Sequence, residues 1–157
     1  MKKLTAKDLA IGGVIAALYV VLTYIASVFG LASGVIQVRL SEALTILPTL
    51  TVAAVPGLTI GCVLANLLTG CAAWDVVFGS LATLIGAIGT WCLRKKPQLA
   101  WIPPVISNAV IVPLVLQKVY GVPDALWFLV LTVGAGELIS CGLLGLMLYK
   151  PASRVIK

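Results

Sequence analysis

The spacing of breaks along this chain constrains it more than any single motif. Apolar runs recur at 9–29, 38–55, 57–68, 74–93, 99–117 and 125–149. Between them stand turn and breaker residues: Phe29-Gly30 to Ser33-Gly34, Pro56-Gly57, Thr69-Gly70, Arg94-Lys95-Lys96-Pro97 and Tyr120-Gly121-Val122-Pro123-Asp124. A membrane-spanning helix takes about 20 apolar residues. The pattern therefore predicts one all-α integral membrane domain over residues 1–157 with six transmembrane helices. Only 10% of the residues are charged and 61% are hydrophobic, against roughly 25% charged in soluble domains. A soluble globule, a disordered chain, a coiled coil and a disulfide-stapled scaffold are excluded on that ground. Six spans leave no length for a soluble catalytic or nucleotide-binding domain.

Charge placement chooses between topologies. With both termini cytoplasmic, nine of the eleven Lys and Arg residues fall inside, leaving Arg39 and Lys118 outside. A single helix kinked at Pro56 would make five spans and turn Arg94, Lys95 and Lys96 outward, against the positive-inside rule. The basic start followed by the first apolar run imitates a secretory signal, but the run is too long and lacks a small-residue cleavage site, so it is read as a retained helix. The expected setting is the cell membrane, multi-pass and in contact with lipid. The net charge of +6 is loop charge, with no support for nucleic-acid binding.

The chemistry open to such a chain is narrow. Histidine is absent, which removes imidazole bases and the commonest metal ligand. Cys62, Cys71, Cys92 and Cys141 show no paired spacing and are read as buried or lipid-facing reduced thiols. No phosphate-binding loop ending in Lys-Ser/Thr occurs. The expectation is a non-enzyme without metal or cofactor, whose driving energy comes from elsewhere.

Polar residues at membrane depth are costly and usually face a cavity or a partner. Glu137, inside Gly134-Ala135-Gly136-Glu137, is read as a ligand-binding group, ahead of an interhelical hydrogen bond or a proton site. Asn108 lies at comparable depth beside Pro113, with ligand contact and structural hydrogen bond both open. Gln37, Arg39 and Glu42 stand where the first loop enters the second helix. Ser41 is a plausible N-cap there, Glu42 would occupy the first turn, and Arg39 could pair with it; an interfacial anchor is the competing reading. Asn66 ends the third helix, and Trp74-Asp75 opens the fourth. Trp74, Trp101 and Trp127 sit near span ends, where an aromatic belt competes with ligand stacking. Lys118, Tyr120 and Asp124 are read as solvated loop residues. In the first helix Ala6, Ala10, Gly13 and Ala17 share one face, widened by Gly12 and Ala16, and small residues on a face let another helix approach closely. That partner is either a helix of the same chain or a separate membrane subunit.

The stretch from Gln37 to Pro48, QVRLSEALTILP, the stretch Asn66 to Gly70 with Asp75 to Leu84, and Asn108 with Pro113 together resemble the QueT family. These are substrate-specific S components of energy-coupling factor transporters for queuosine precursors. The resemblance implies a six-helix binding protein that works with a transmembrane coupling subunit and two cytoplasmic ATPases, and places the small-residue face of the first helix against the coupling subunit. The implied ligand is a 7-deazaguanine: the nitrile precursor preQ0, the aminomethyl precursor preQ1, or queuine. A carboxylate can accept both donors of its guanine-like edge, while an amide or guanidinium donates to its carbonyl. On that chemistry Glu137 or Asp75 would take the donor edge and Asn108, Asn66 or Arg39 the carbonyl. Glu42 completes the polar set, and Trp74 or Trp127 is available for stacking. The runner-up is a self-contained small transporter or channel using Glu137 as a proton or cation site.

Overall fold

A computed structural model describes residues 5–31 and 37–156; Ser33-Gly34, Lys2, Lys3 and Lys157 lie outside the described residues. Helix α1 spans Ala6–Val28 and is followed by a 3-10 segment, Leu40–Thr49. Then come α2, Ala54–Leu68, α3, Ala73–Cys92, and α4, Ile102–Lys118. The last helix, α5, runs without interruption over Leu126–Ile156 and contains a π-helical stretch, Leu138–Leu144. Among the described residues there are helices, turns and short extended connections, and no strand. Four stretches are long and apolar enough to cross a membrane: Ala6–Val28, Ala73–Cys92, Pro97–Lys118 and Leu126–Ile156. The chain is an all-α membrane protein.

The six passes are present, but two are not full spans. A 3-10 helix rises about 2.0 Å per residue, so Leu40–Thr49 is roughly 20 Å long, and α2, at 15 residues, is little longer at about 1.5 Å per residue. Both fall short of a hydrocarbon core of about 30 Å. Short, irregular backbone at membrane depth is tolerated only where protein covers it, and that is its situation here. Every residue from Ser41 to Pro48 is buried, and the segment touches α1, α3 and α5. The second predicted helix, 38–55, is thus the central strut of the bundle rather than one of its walls. Its entrance also differs from expectation. Ser41 lies inside the segment and Arg39 precedes it without a side-chain cap. The break expected at Pro56-Gly57 falls instead at 50–53. Pro56 sits in the first turn of α2, where its missing N–H has no intrahelical partner to lose.

Other boundaries follow local chemistry. Helix α1 begins three residues earlier than its apolar run because Thr5 and Asp8 form a capping box: the Thr5 backbone N–H and hydroxyl both donate to Asp8 Oδ2 at 2.8 Å. Helix α5 continues past Tyr149 through Pro151.

Packing fixes the course of the chain. Lys7, Ile11 and Val14 border the same depression as Leu148, Ala152 and Ile156, so α1 starts at the end of the bundle where α5 finishes. Val21, Tyr24 and Ile25 meet Leu68 and Thr69 at the other end. Alternation through the remaining helices puts Arg94, Lys95 and Lys96 at the first end with Lys7, Lys150 and Arg154, and Lys118 at the opposite one. This basic end is the cytoplasmic one by the positive-inside rule.

Small residues allow the tight contacts. A Cβ on Gly57 would lie 2.7 Å from the Gly12 carbonyl oxygen, and one on Gly61 would lie 2.8 Å from Tyr19 Cβ. Gly12 and Ala16 are therefore spent on α2. The face carrying Ala6, Ala10, Gly13 and Ala17 is exposed, and nothing lies within 4 Å of where a Gly13 Cβ would be. Substituting Gly57→Leu is expected to cost roughly 1–3 kcal/mol through overpacking, seen as a lower melting temperature in detergent.

Candidate functional site

The central 3-10 segment, α1, α4 and α5 bring polar side chains together inside an apolar bundle. Glu42 is 1% exposed, Glu137 4% and Asn108 2%. Their depth follows from their neighbours: the Tyr19 hydroxyl, midway along α1, donates to Glu42 Oε1, and Thr23 Oγ1 donates to Ser41 Oγ at 2.9 Å. Glu42 is thus well below the outer surface, and the interfacial-anchor reading of this stretch gives way. Its backbone is held as well. Thr45 Oγ1 donates to the Glu42 carbonyl at 2.6 Å and lies 3.3 Å from Cys141 Sγ.

Glu137 enters from α5 at the residue where the helix widens into its π-helical stretch. Such turns recur at functional sites because they redirect side chains without ending the helix. Cys141, four residues on, donates from Sγ to Glu137 Oε2 at 3.2 Å. Gly136 makes room for the partner segment: a Cβ there would lie 2.0 Å from the Gln37 carbonyl oxygen. The extended residues 37–39 therefore lie directly against α5 beside Glu137. A Gly136→Ala variant is expected to push them away, carrying Arg39 and Glu42 off Glu137, with a destabilisation of roughly 1–3 kcal/mol measurable by thermal unfolding in detergent.

Asn108 and Arg39 complete the group. Asn108 lies beside both carboxylates, yet its Nδ2 has no hydrogen-bond partner, and neither has Glu42 Oε2. Arg39 acts on both carboxylates through its charge. Orphaned buried polar atoms are costly, of order 1–3 kcal/mol each, and are rare enough that each calls for an explanation; Ser80 Oγ on α3 is another. Ligand atoms of Glu42, Glu137 and Cys141 all lie within 4.8 Å of one another, so these are also the residues that could hold a metal ion.

The other expected site residues are placed elsewhere. Asn66 and Asp75 are buried together at the outer ends of α2 and α3, where Asn66 Nδ2 and Asp75 Oδ1 both border Gly79. Tyr120 ties this pair to the following loop: its hydroxyl donates to Asp75 Oδ2 at 2.8 Å and accepts from the Ala72 N–H at 3.1 Å. It is thus a latch between two loops, not only a solvated side chain. Partial burial, then the Asp75 hydrogen bond and charge, push the Tyr120 phenol up to about 12, so it remains a donor across the physiological range. Trp74 and Trp127 are 62% and 67% exposed; they stack on Phe78 and stand edge-on to Phe128, away from the carboxylates. Outward of Glu137, a cleft of about 320 Å3 is lined by Gln37, Leu116, Asp124, Phe128, Thr132 and Val133. Tyr19 and Cys141 join the site without any motif in the sequence to mark them beyond the four-residue steps from Tyr19 to Thr23 and from Glu137 to Cys141.

Comparison with known proteins settles the kinship. The family model described as QueT transporter matches residues 9–154. The chain belongs to the QueT transporter family. Among curated proteins, the queuosine precursor transporter QueT of Lactococcus lactis subsp. cremoris (strain MG1363) is 36% identical over 86 residues. That match takes in 54% of this chain and 50% of the relative, so it spans about half the relative's length. No solved structure matches the chain. Membership in a family of transporters agrees with a non-enzymatic, multi-pass membrane protein.

Proposed function

We propose that this QueT family member is the substrate-binding membrane subunit of an ATP-driven energy-coupling factor importer in the bacterial cell membrane. It captures a queuosine precursor, a 7-deazaguanine such as preQ0, preQ1 or queuine, from outside the cell. The observation that carries this reading is the set of Glu42, Glu137 and Asn108 enclosed in an apolar bundle, with the half-buried Arg39 three residues before Glu42 in the chain and with Glu42 Oε2 and Asn108 Nδ2 left without partners. A flat heterocycle with adjacent N–H donors and a ring carbonyl supplies what those atoms lack. Glu137 takes the donor edge as a bidentate acceptor, and Asn108 or Arg39 donates to the carbonyl. Asp75 and Asn66 are assigned to the outer approach, and Trp74 and Trp127 to the aromatic belt.

The partners are a transmembrane coupling subunit and two cytoplasmic ATPases. The exposed face of Ala6, Ala10, Gly13 and Ala17 supports this, since it offers a second helix a close approach that the chain's own helices do not use. The deciding experiment is uptake of a labelled precursor by cells that cannot synthesise queuosine. Uptake is expected to require the ATPases. Accumulation by the isolated chain in liposomes under an ion gradient alone would overturn the proposal in favour of a self-contained transporter.

A further inference from the structure

We infer that the groove between α1 and the end of α5 is a docking site for an anionic phospholipid of the cytoplasmic leaflet, its acyl chain lying along the groove and its phosphate on Lys7. The groove has a volume of about 410 Å3. Val14 and Leu18 of α1 form one wall, Leu148 and Ala152 of α5 the other, and Leu44 and Leu47 of the central 3-10 segment the floor. The floor is buried while Val14 and Leu18 are 60% and 45% exposed, so the depression opens toward lipid. Among the described residues that line it, Lys7 alone is charged.

Length and charge both fit this occupant. From Lys7 to Leu18 the helix rises roughly 16 Å, about half of a hydrocarbon core of about 30 Å, so the groove runs through one leaflet. Its mouth is at the basic end of the bundle. Arg94, Lys95, Lys96, Lys150 and Arg154 lie at that end, and of the five acidic residues in the chain only Asp8 is there, with its carboxylate accepting from Thr5. Lys7 is exposed and can hold its ammonium at headgroup depth while its stem rests on the apolar wall. Basic pockets between helices on the cytoplasmic side suit anionic headgroups for this reason. The neighbouring groove between α1 and α2 has the opposite sign: it is about 220 Å3, otherwise apolar, and ends on Asp8, which repels a phosphate. The two grooves share α1 and differ in the charge at the mouth.

The test titrates the full chain in detergent with phosphatidylglycerol or phosphatidylcholine of identical acyl chains and reads retained lipid by native mass spectrometry. Phosphatidylglycerol is expected to bind about fivefold more tightly, equivalent to about 1 kcal/mol for one cation at an anionic headgroup. In Lys7→Gln the preference is expected to fall to about twofold or less. Lys150→Gln, at the same end but outside the groove, is expected to keep it, and Ala152→Trp, which fills the groove, to lower retention of both lipids. Equal binding of the two lipids by the unsubstituted chain would overturn the inference and leave the groove to a helix of another subunit. So would a preference untouched by Lys7→Gln, or one lost equally in Lys150→Gln, which would make it a property of the whole basic end. Undiminished retention in Ala152→Trp would place the lipid elsewhere and overturn it too. Should Ala152→Trp fail to fold, the two lysine variants, both at exposed positions, still decide.

Discussion

Replacing Glu137 by glutamine is expected to weaken 7-deazaguanine binding by roughly 30- to 1,000-fold, while the chain still copurifies with the coupling subunit proposed for it. The magnitude follows from what is lost. A buried carboxylate facing two N–H donors makes a charge-assisted pair, and truncating one side of such a contact costs about 2–5 kcal/mol. Glutamine keeps the volume but presents one acceptor and one donor, so one ligand N–H meets another N–H. The Cys141 thiol, 3.2 Å from Glu137 Oε2, still has the Glu42 carbonyl within 3.6 Å, which limits structural damage. Calorimetry in detergent reads the affinity, and a pull-down of the coupling subunit reads assembly. Unchanged affinity would remove Glu137 from the site.

The reciprocal result is expected from Gly13→Leu, with coupling-dependent uptake falling at least tenfold and ligand affinity unaffected. Gly13 has nothing within 4 Å of its Cβ position, so leucine meets no part of its own chain. It even improves the helix, since glycine costs up to about 1 kcal/mol relative to a good helix former. Its side chain instead occupies the space into which a second helix backbone would pack. The contrast with Gly57, one face away and pressed on Gly12, makes the pair informative: Gly57→Leu should injure the isolated chain and Gly13→Leu only the assembly. Pull-down and uptake in the same strain check this, and full uptake with Gly13→Leu would place the coupling subunit elsewhere.

The contrast between the two glycines also shows how far sequence patterning carries. Periodicity put Ala6, Ala10, Gly12, Gly13, Ala16 and Ala17 on one broad face. It could not tell which edge α2 would cover, because a small residue serves an internal and an external helix equally well. The exposed edge became visible only when Gly57 and Gly61 were seen against Gly12, Ala16 and Tyr19. The same limit applies to Glu42. Three residues from Arg39 and just after a loop, it reads locally as interfacial. Its depth depends on where the first loop re-enters, and the apolar run that follows is equally compatible with an α-helix of full length.

Hydropathy and loop charge sufficed for the membrane, the six passes and the side on which the basic residues gather, because transfer free energy is summed residue by residue along the chain and needs no knowledge of neighbours. The absence of histidine and of a phosphate loop likewise narrowed the chemistry without coordinates. The site itself is a different kind of property. Tyr19, Glu42, Asn108 and Glu137 come from four separate segments, and nothing in their spacing predicts that Asn108 faces both carboxylates or that Glu42 Oε2 lacks a partner. Packing made that choice: Gly136 lets residues 37–39 lie against α5, and the central 3-10 segment, buried all round, carries Glu42 down to Glu137. Covered by protein on every side, that segment can be short and irregular at a depth where exposed backbone would be prohibitively costly.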